Sequence, residues 1–183
     1  MMPEISLNIL DVAQNSIAVG SLLTEISIVA DRKADTLEVA ISDNGRGMTP
    51  EQLEKVADPF FTTRTTRRVG VGIPFLKMAA ELTGGSLHIE STLGVGTKVS
   101  AVFGLSHIDR MPIGDIAGTM TALIGSNPDI DFLFRYSIDG NSFAMDTREM
   151  RSVLDGISFA EPEVLQYIAG FITENIDETG GRL

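Results

Sequence analysis

The first residues that could do chemistry form a polar strip near the start of the chain. Asn8, Asp11 and Asn15 are three and four residues apart, which places them on one face of a helix. An asparagine carboxamide is a neutral oxygen ligand suited to Mg²⁺, and an aspartate can act as a base toward water or a hydroxyl. Apolar residues flank the strip on both sides. Two interpretations are open: the strip is buried in a functional site, or it faces solvent.

A second cluster directly follows a predicted strand, at Asp43–Met48 (DNGRGM). A carboxylate at a strand end is held in a fixed position, and the two glycines let a flat ligand approach the backbone. The Asn-Gly pair is equally typical of an ordinary turn. A similar Gly-x-Gly element, Gly94–Thr97 (GVGT), predicts a tight turn between two strands.

The third cluster spans residues 58–72 and combines basic, threonine and glycine residues ahead of a predicted helix. Guanidinium groups together with the N–H groups of a helix N-terminus suit an anion such as a triphosphate. The alternative is a solvated, charged loop. The residues on which the anion site would depend are Arg64, Arg67, Arg68, Gly70 and Gly72.

Several common site signatures are missing from the sequence. It contains no P-loop motif, no complete Rossmann glycine fingerprint and no serine-elbow motif. The absence of cysteine excludes disulfides, thiolate metal sites and a cysteine nucleophile, and two histidines argue against a zinc site. The candidate chemistry therefore rests on the three clusters and the Gly94–Thr97 turn.

Hydrophobic periodicity predicts the elements that carry these clusters. In the first half the expected helices are 3–19, 50–57 and 73–82, and the expected strands are 22–30, 36–42, 86–91 and 98–103. In the second half a helix over 113–124 precedes a hairpin, 132–138 with 142–145, turned at Asp139-Gly140. A capping box at Asp146 and Glu149 and a proline at 162 predict two final helices, which would cover the hairpin.

Charge divides the 183-residue chain into two parts. Residues 1–105 carry a net charge of −3 and residues 106–183 carry −8, which together give −11. We therefore predict a first domain at 1–105 and a small acidic subdomain at 106–183. The acidic balance argues against nucleic-acid binding, and no apolar run reaches the ~18–20 residues of a membrane span. We expect a cytoplasmic protein.

Taken together and in this order, the clusters resemble the GHKL superfamily of ATP-binding domains, which includes gyrase B, the ninety-kilodalton heat-shock chaperone, histidine kinases and MutL. The resemblance covers residues 5–104 and is closest to sensor histidine kinase catalytic domains. It implies a two-layer α/β (α+β) sandwich with a mixed sheet, the Bergerat-type fold. The matching motifs are an N box at Leu10–Gly20 (LDVAQNSIAVG, nearest to MutL), Asp43–Gly47, an F box at Asp58–Arg64 (DPFFTTR), Gly70–Gly72 and Gly94–Thr97.

The resemblance also implies the role of each residue toward Mg-ATP. Asp43 would accept a hydrogen bond from the adenine amino group, with support from Thr97 through a water. Asn15 would bind Mg²⁺, and Asp11 would orient or activate the attacking group. The glycines of the motifs would allow close approach of the backbone and movement of a lid at about 65–69. Arginines in or beside this lid could contact the γ-phosphate. The remaining predicted ATP contacts are Gly45, Gly47, Met48, Thr63, Arg64, Arg67, Arg68, Gly70 and Gly72.

The sequence departs from the kinase pattern in its phosphate acceptor. Sensor kinases carry an acceptor histidine before the N box, whereas the ten residues before Asp11 include none. His88 is expected to be a structural or surface residue, and His107 qualifies only if its segment reaches the γ-phosphate. Three functions stay open: a kinase acting on a partner protein in trans, a slow ATPase working as a conformational switch like MutL, and a nucleotide-sensing module without catalysis.

The acidic second part matches no motif with a known mechanism. One hypothesis makes it the element that docks a partner protein or a second copy of the chain as a homodimer. Deleting residues 112–183 would then abolish partner binding and leave ATP binding intact. If these residues instead complete the core, the shortened chain would be insoluble.

Overall fold

The computed structural model describes residues 4–56 and 72–183. The six helices of the described residues are α1 (Ile5–Ala18), α2 (Pro50–Lys55), α3 (Gly72–Leu82), α4 (Ile116–Ser126), α5 (Thr147–Leu154) and α6 (Pro162–Thr179). The six strands are β1 (Leu23–Asp31), β2 (Thr36–Asp43), β3 (Ser86–Thr92), β4 (Gly96–Gly104), β5 (Asp131–Ile138) and β6 (Asn141–Asp146). None of these helices is long and apolar enough to cross a membrane.

All six strands belong to one mixed sheet with the order β3-β4-β2-β1-β5-β6. Every neighbouring pair is antiparallel except β1 and β5, which run parallel. The predicted α/β fold class with a mixed sheet is confirmed. The hairpin β5–β6 does not stand apart, because β5 extends the sheet of the first 105 residues at the edge of β1.

Alternating side chains give the sheet one buried and one solvated face. On the buried face, apolar residues of neighbouring strands form continuous rows. One row consists of Val99, Ile41, Ile26, Phe134 and Met145, all fully or nearly fully buried. Helices α1, α3, α4 and α6 pack over this face, so the protein has two layers and one core that runs under both parts of the chain.

The polypeptide around Pro112 holds the start of α1 in place. The backbone N–H groups of Ile5 and Ser6 donate to the carbonyl oxygens of Pro112 and Ile113 at 3.0 and 2.8 Å. These donors have no partner inside the helix, so the contact stabilises the helix end. The sequence predicts that α4 begins at residue 113, but it begins at Ile116. The reason is that the backbone of Ile113 is bonded to α1 and that Gly114 has a φ of +82°.

Other helix starts follow local signals in the sequence. Thr49 caps α2 and forms a reciprocal capping box with Gln52, and Pro162 opens α6 as predicted. Asp146 caps α5 as predicted. Its carboxylate accepts from the backbone N–H of Arg148, two residues on, and not from Glu149 as the predicted capping box would require.

The carboxyl-terminal segment is attached to the sheet by two polar contacts. The buried Tyr136 hydroxyl donates to the carbonyl oxygen of Gly181 at 3.0 Å, and burial raises the pKa of Tyr136 to about 12. The Arg32 side chain meets the Asp139 carboxylate at 2.9 Å and the carbonyl oxygen of Gly180 at 3.4 Å. The pKa of Asp139 is lowered, first by the backbone N–H of Arg32 and then by its guanidinium group.

Deleting residues 112–183 should therefore prevent the remaining chain from folding. The deletion removes β5 from beside β1 and the carbonyl acceptors from the start of α1, and each large apolar side chain that it exposes costs about 1.5–3 kcal/mol. A few such residues equal a typical total stability of about 5–15 kcal/mol. Circular dichroism during heating should show no cooperative transition for the shortened chain. Val153→Ala is the control, because its side chain is 83% exposed, and it should melt like the wild-type chain. A cooperative transition in the fragment 1–111 would contradict the expectation.

Candidate functional site

A polar row replaces the apolar rows at one end of the buried face. Ser91, Thr97, Asp43 and Thr24 are direct neighbours on β3, β4, β2 and β1. The first three are half-buried and Thr24 is fully buried. Polar groups removed from water need hydrogen-bond partners, so this row has to be organised by its surroundings.

Two protein donors hold the Asp43 carboxylate. The Ser16 hydroxyl on α1 donates to Oδ2 at 2.7 Å, and the backbone N–H of Gly45 donates to Oδ1 at 2.9 Å. An ionised carboxylate has about four acceptor positions, so two bonds leave it able to accept from a further donor such as an amino group. The arrangement fixes the orientation of the carboxylate without using up its acceptor capacity.

Helix α1 brings the polar strip of the sequence to the same region. Asn8 is 1% exposed, and Asp11 and Asn15 are half-buried. Of the two interpretations of this strip, the structure supports the one in which it faces the protein interior. Asn15 directly precedes Ser16, whose hydroxyl touches Asp43, so the first and second sequence clusters lie at one site.

The start of α3 approaches the Asp11 carboxylate closely. A Cβ atom built at Gly72 would lie 2.2 Å from Oδ2 of Asp11, so a larger residue here would force the Asp11 side chain to move. The amino-terminal end of a helix favours a negative charge through its unpaired N–H groups. Asp11 therefore lies where α1 and α3 meet, one helical turn before Asn15.

The loop after Asp43 interlocks with the end of the β3–β4 hairpin. A Cβ atom at Gly47, whose φ is +67°, would lie 2.1 Å from the carbonyl oxygen of Thr92, so this position requires glycine. The backbone N–H of Met48 donates to the Ser91 hydroxyl at 2.9 Å, and that hydroxyl is 2.8 Å from the Thr97 hydroxyl. Met48 and Thr97 are thereby joined through Ser91.

Asn44 anchors the other side of the same loop. Its side-chain oxygen accepts from the backbone N–H groups of Leu22 and Leu23 at 2.9 and 3.0 Å, and from the Ser21 hydroxyl at 3.2 Å. Three donors on one amide oxygen tie the end of β2 to the start of β1. Asp43 is consequently followed by two residues whose positions are fixed, Asn44 and Gly45.

Four of these contributors were not singled out from the sequence: Ser16, Thr24, Asn44 and Ser91. Ser16 and Asn44 lie within motifs, beside residues that were selected, so their position was a usable signal. No local pattern points to Ser91, because its role arises from a strand pairing and a loop contact distant in sequence.

Three of the predicted glycine contacts lie within the described residues. Gly45 is buried beside Asp43, Gly47 against Thr92, and Gly72 against Asp11. Five predicted contacts lie outside the described residues: Thr63, Arg64, Arg67, Arg68 and Gly70.

A metal site made by the protein alone does not occur in residues 4–56 and 72–183, where no three His, Cys, Asp or Glu side chains come together. Mg²⁺ in nucleotide sites takes one or two protein oxygens and completes its shell with phosphates and waters. The half-buried carboxamide of Asn15, the residue before Ser16 on α1, is compatible with that minimal contribution.

Both histidines lie away from this row. His88 is on the solvated face of β3, with its side chain 74% exposed. His107 follows β4 at the end opposite to Thr97. Gly104 comes seven residues after Thr97, which is about 23 Å along the strand. Neither histidine can reach the Asp43 end of the sheet within its own chain in this conformation.

Residues 2–107 match the family described as histidine kinase-, DNA gyrase B-, and HSP90-like ATPase. The chain belongs to this family. The resemblance stated from the motifs is thus confirmed, and with it an ATP-binding domain of the ATPase and kinase class.

Curated relatives of the chain are sensor kinases. Histidine protein kinase DivJ of Caulobacter vibrioides is 34% identical over 80 residues, which is 42% of this chain and 13% of that protein. Sensor protein SrrB of Staphylococcus aureus is 34% identical over 101 residues, 52% of this chain and 17% of that protein. The matched segment therefore spans about one eighth to one sixth of the length of these relatives.

Two solved structures are similar at low identity. The catalytic domain of histidine kinase ThkA, in a nucleotide-free form, is 23% identical with a TM-score of 0.44, covering 57% of this chain and 68% of that chain. The Aquifex aeolicus MutL ATPase domain complexed with ADP is 16% identical with a TM-score of 0.48, covering 80% of this chain and 64% of that chain.

Replacing Ser16 by alanine should destabilise the site without disturbing the core. The substitution removes a buried donor to a carboxylate, and hydrogen bonds to charged groups contribute about 1.5–3 kcal/mol. We expect the free energy of unfolding in urea to fall by about that amount. Ser42→Ala is the control, since Ser42 adjoins Asp43 but lies on the solvated face of β2. Equal losses in the two variants would argue against the Ser16–Asp43 bond.

Proposed function

We propose that the polar row binds the adenine of ATP through the Asp43 carboxylate. The observation that carries this proposal is the oriented carboxylate itself, held by Ser16 and Gly45 and directly paired with Thr97. The adenine amino group donates, and a carboxylate accepts. Thr97 would support the contact through a bridging water.

The phosphates would then extend toward α1 and α3. Asn15 would hold Mg²⁺, which would supply positive charge beside the phosphates. Asp11 would orient the attacking group. Arg67 and Arg68 of the predicted lid at 65–69, and Arg64 directly before it, would add positive charge at the γ-phosphate.

We propose phosphoryl transfer to a partner protein in trans as the reaction. The attacking atom of the partner forms a bond to the γ-phosphorus, the bond to the bridging oxygen breaks, and ADP leaves while Asp11 accepts the proton of the attacking group. Two observations favour a partner as acceptor: the relatives are sensor kinases, and both histidines of this chain lie far from Asp43.

Slow ATP hydrolysis coupled to a conformational switch is the alternative. It is favoured by the contact between Asp11 and the start of α3, because a carboxylate near this helix can activate water as well as a side chain. Binding of the nucleotide without turnover is the third possibility, in which the domain acts as a sensor.

ATP labelled at the γ-phosphate distinguishes the three reactions. Incubation with an extract from cells of the source organism should label a partner protein if the chain is a kinase acting in trans. Free labelled phosphate without labelled protein would identify the ATPase, and tight binding without either product would identify the sensor. The proposed kinase activity is rejected by either of the last two results.

Asp43→Asn should weaken Mg-ATP binding by roughly 10- to 100-fold, since a charge-assisted hydrogen bond is replaced by a weaker neutral one. Titration calorimetry measures the change. GTP presents an acceptor where ATP presents the amino donor, so the wild-type chain should prefer ATP, and the variant should lose much of that preference. The exposed Asp109 provides the control variant Asp109→Asn. Unchanged ATP affinity in Asp43→Asn would reject the adenine assignment.

Asp11→Asn should leave ATP binding within a few-fold of wild type and slow the chemical step by about 10²–10⁴, the usual contribution of a general base. Single-turnover release or transfer of labelled phosphate gives the rate, and calorimetry gives the affinity. Asp35→Asn, in the turn between β1 and β2, serves as the matched control. If Asp11→Asn turns over at the wild-type rate, the proton acceptor is another group.

A further inference from the structure

Strand β6 forms a free edge of the sheet. Asp139 and Gly140 both have positive φ, 52° and 89°, which identifies a two-residue type I′ turn. Such a turn is closed by a hydrogen-bonded pair, here Ile138 and Asn141, and bonded pairs then alternate along the hairpin. The backbone N–H and C=O groups of Ser142 and Ala144 consequently point away from β5, where no strand of the described residues pairs with them.

The residues of this edge do little to block further pairing. Edge strands are commonly protected by lysine, proline or a bulge, and β6 (NSFAMD) has none of these. Ser142 and Ala144 are small and exposed, so the backbone beside them is accessible. The opposite edge, β3, presents the polar side chains of His88 and Glu90, 3.3 Å apart, to solvent.

An aromatic series leads from the core to the surface beside this edge. Phe143 of β6 contacts Phe171 of α6 at 6.3 Å between ring centroids, and Phe171 stacks on Tyr167 at 6.5 Å. Tyr167 is 65% exposed. Helix α6 thus places aromatic surface next to the free backbone groups of β6.

The same face of α6 is acidic. Glu163, Glu174 and Glu178 are exposed and recur at helical spacing with Tyr167 and Phe171, and α6 contains no lysine or arginine. Three guanidinium groups lie near β6 or the turn before it. Each is engaged with a carboxylate: Arg135 with Glu25 at 3.0 Å, Arg148 with Asp146, and Arg32 with Asp139 at 2.9 Å. The uncompensated charge beside the edge is therefore negative.

We propose that β6 and this face of α6 bind an extended, basic segment of a partner protein as a seventh strand of the sheet. Backbone hydrogen bonds to Ser142 and Ala144 would provide affinity. Alternate lysine or arginine side chains would lay their aliphatic stems on Tyr167 and Phe171 and bring their charges to the glutamates. A second copy of this chain fits poorly, because both copies carry a net charge of −11.

A synthetic peptide of alternating lysine and valine, about seven residues long to match an ordinary strand, tests the proposal on the full chain. NMR titration should show saturable binding in the micromolar range and slowed hydrogen exchange at the Ser142 and Ala144 amides. A peptide with glutamate in place of lysine should not bind. The titration contains no nucleotide, so its failure would leave the ATP proposal untouched, and the reverse also holds.

Three substitutions locate the peptide. Ala144→Pro removes one outward N–H group at an edge position that tolerates proline, and should weaken binding about tenfold. Tyr167→Ala and Glu174→Lys test the aromatic and acidic parts of the surface, and each should weaken binding several-fold without depending on the strand backbone. Glu38→Lys changes the net charge equally but lies on β2, away from β6, and should bind like wild type.

Several results would overturn the proposal. One is the absence of binding by the lysine peptide. Another is binding that Glu38→Lys weakens as much as Glu174→Lys does, which indicates attraction to overall charge alone. A third is a concentration-dependent dimer in sedimentation that Ala144→Pro abolishes, since the occupant of the edge would then be a second copy of the chain.

Discussion

A carboxylate at the end of a largely apolar sheet face is the constraint around which this site is organised. Asp43 can be half-buried there because Ser16 and Gly45 each donate one hydrogen bond to it. Those two donors come from different parts of the chain, so α1, β2 and the following loop must be placed together. The close contact of Gly47 with Thr92 and the hydrogen bonds to the Asn44 side chain hold the same loop in position. The site is thus a property of the assembled sheet and not of one motif.

The sheet also unites the two parts of the chain that differ in charge. Strand β5 continues the buried apolar rows of β1, and the residues after β4 hold the start of α1, the helix that carries Asp11, Asn15 and Ser16. The acidic second part therefore supports the geometry of the first. Two surfaces of this second part do not contact the first part and remain exposed: the edge of β6 and one face of α6.

Local signals in the sequence were sufficient to predict most helices and strands and to identify the family. Apolar alternation, the Thr49 cap and Pro162 located strands and helix starts because each acts within a few residues. Long-range pairings had no such signal. Nothing near residues 131–138 indicates that this strand lies parallel to β1, and nothing near Ser91 indicates its contact with Met48. The start of α4 was misplaced for the same reason, since Ile113 bonds to Ser6 at the far end of the chain.

The parallel pairing of β1 with β5 has a consequence for biosynthesis. The two partners are more than a hundred residues apart in the chain, so β1 leaves the ribosome well before its neighbour exists. At about 5–20 residues per second, the delay lasts roughly 5–20 seconds. During that interval one side of β1 is unpaired, and a nascent chain in this state is a natural client for chaperones that shield exposed strands.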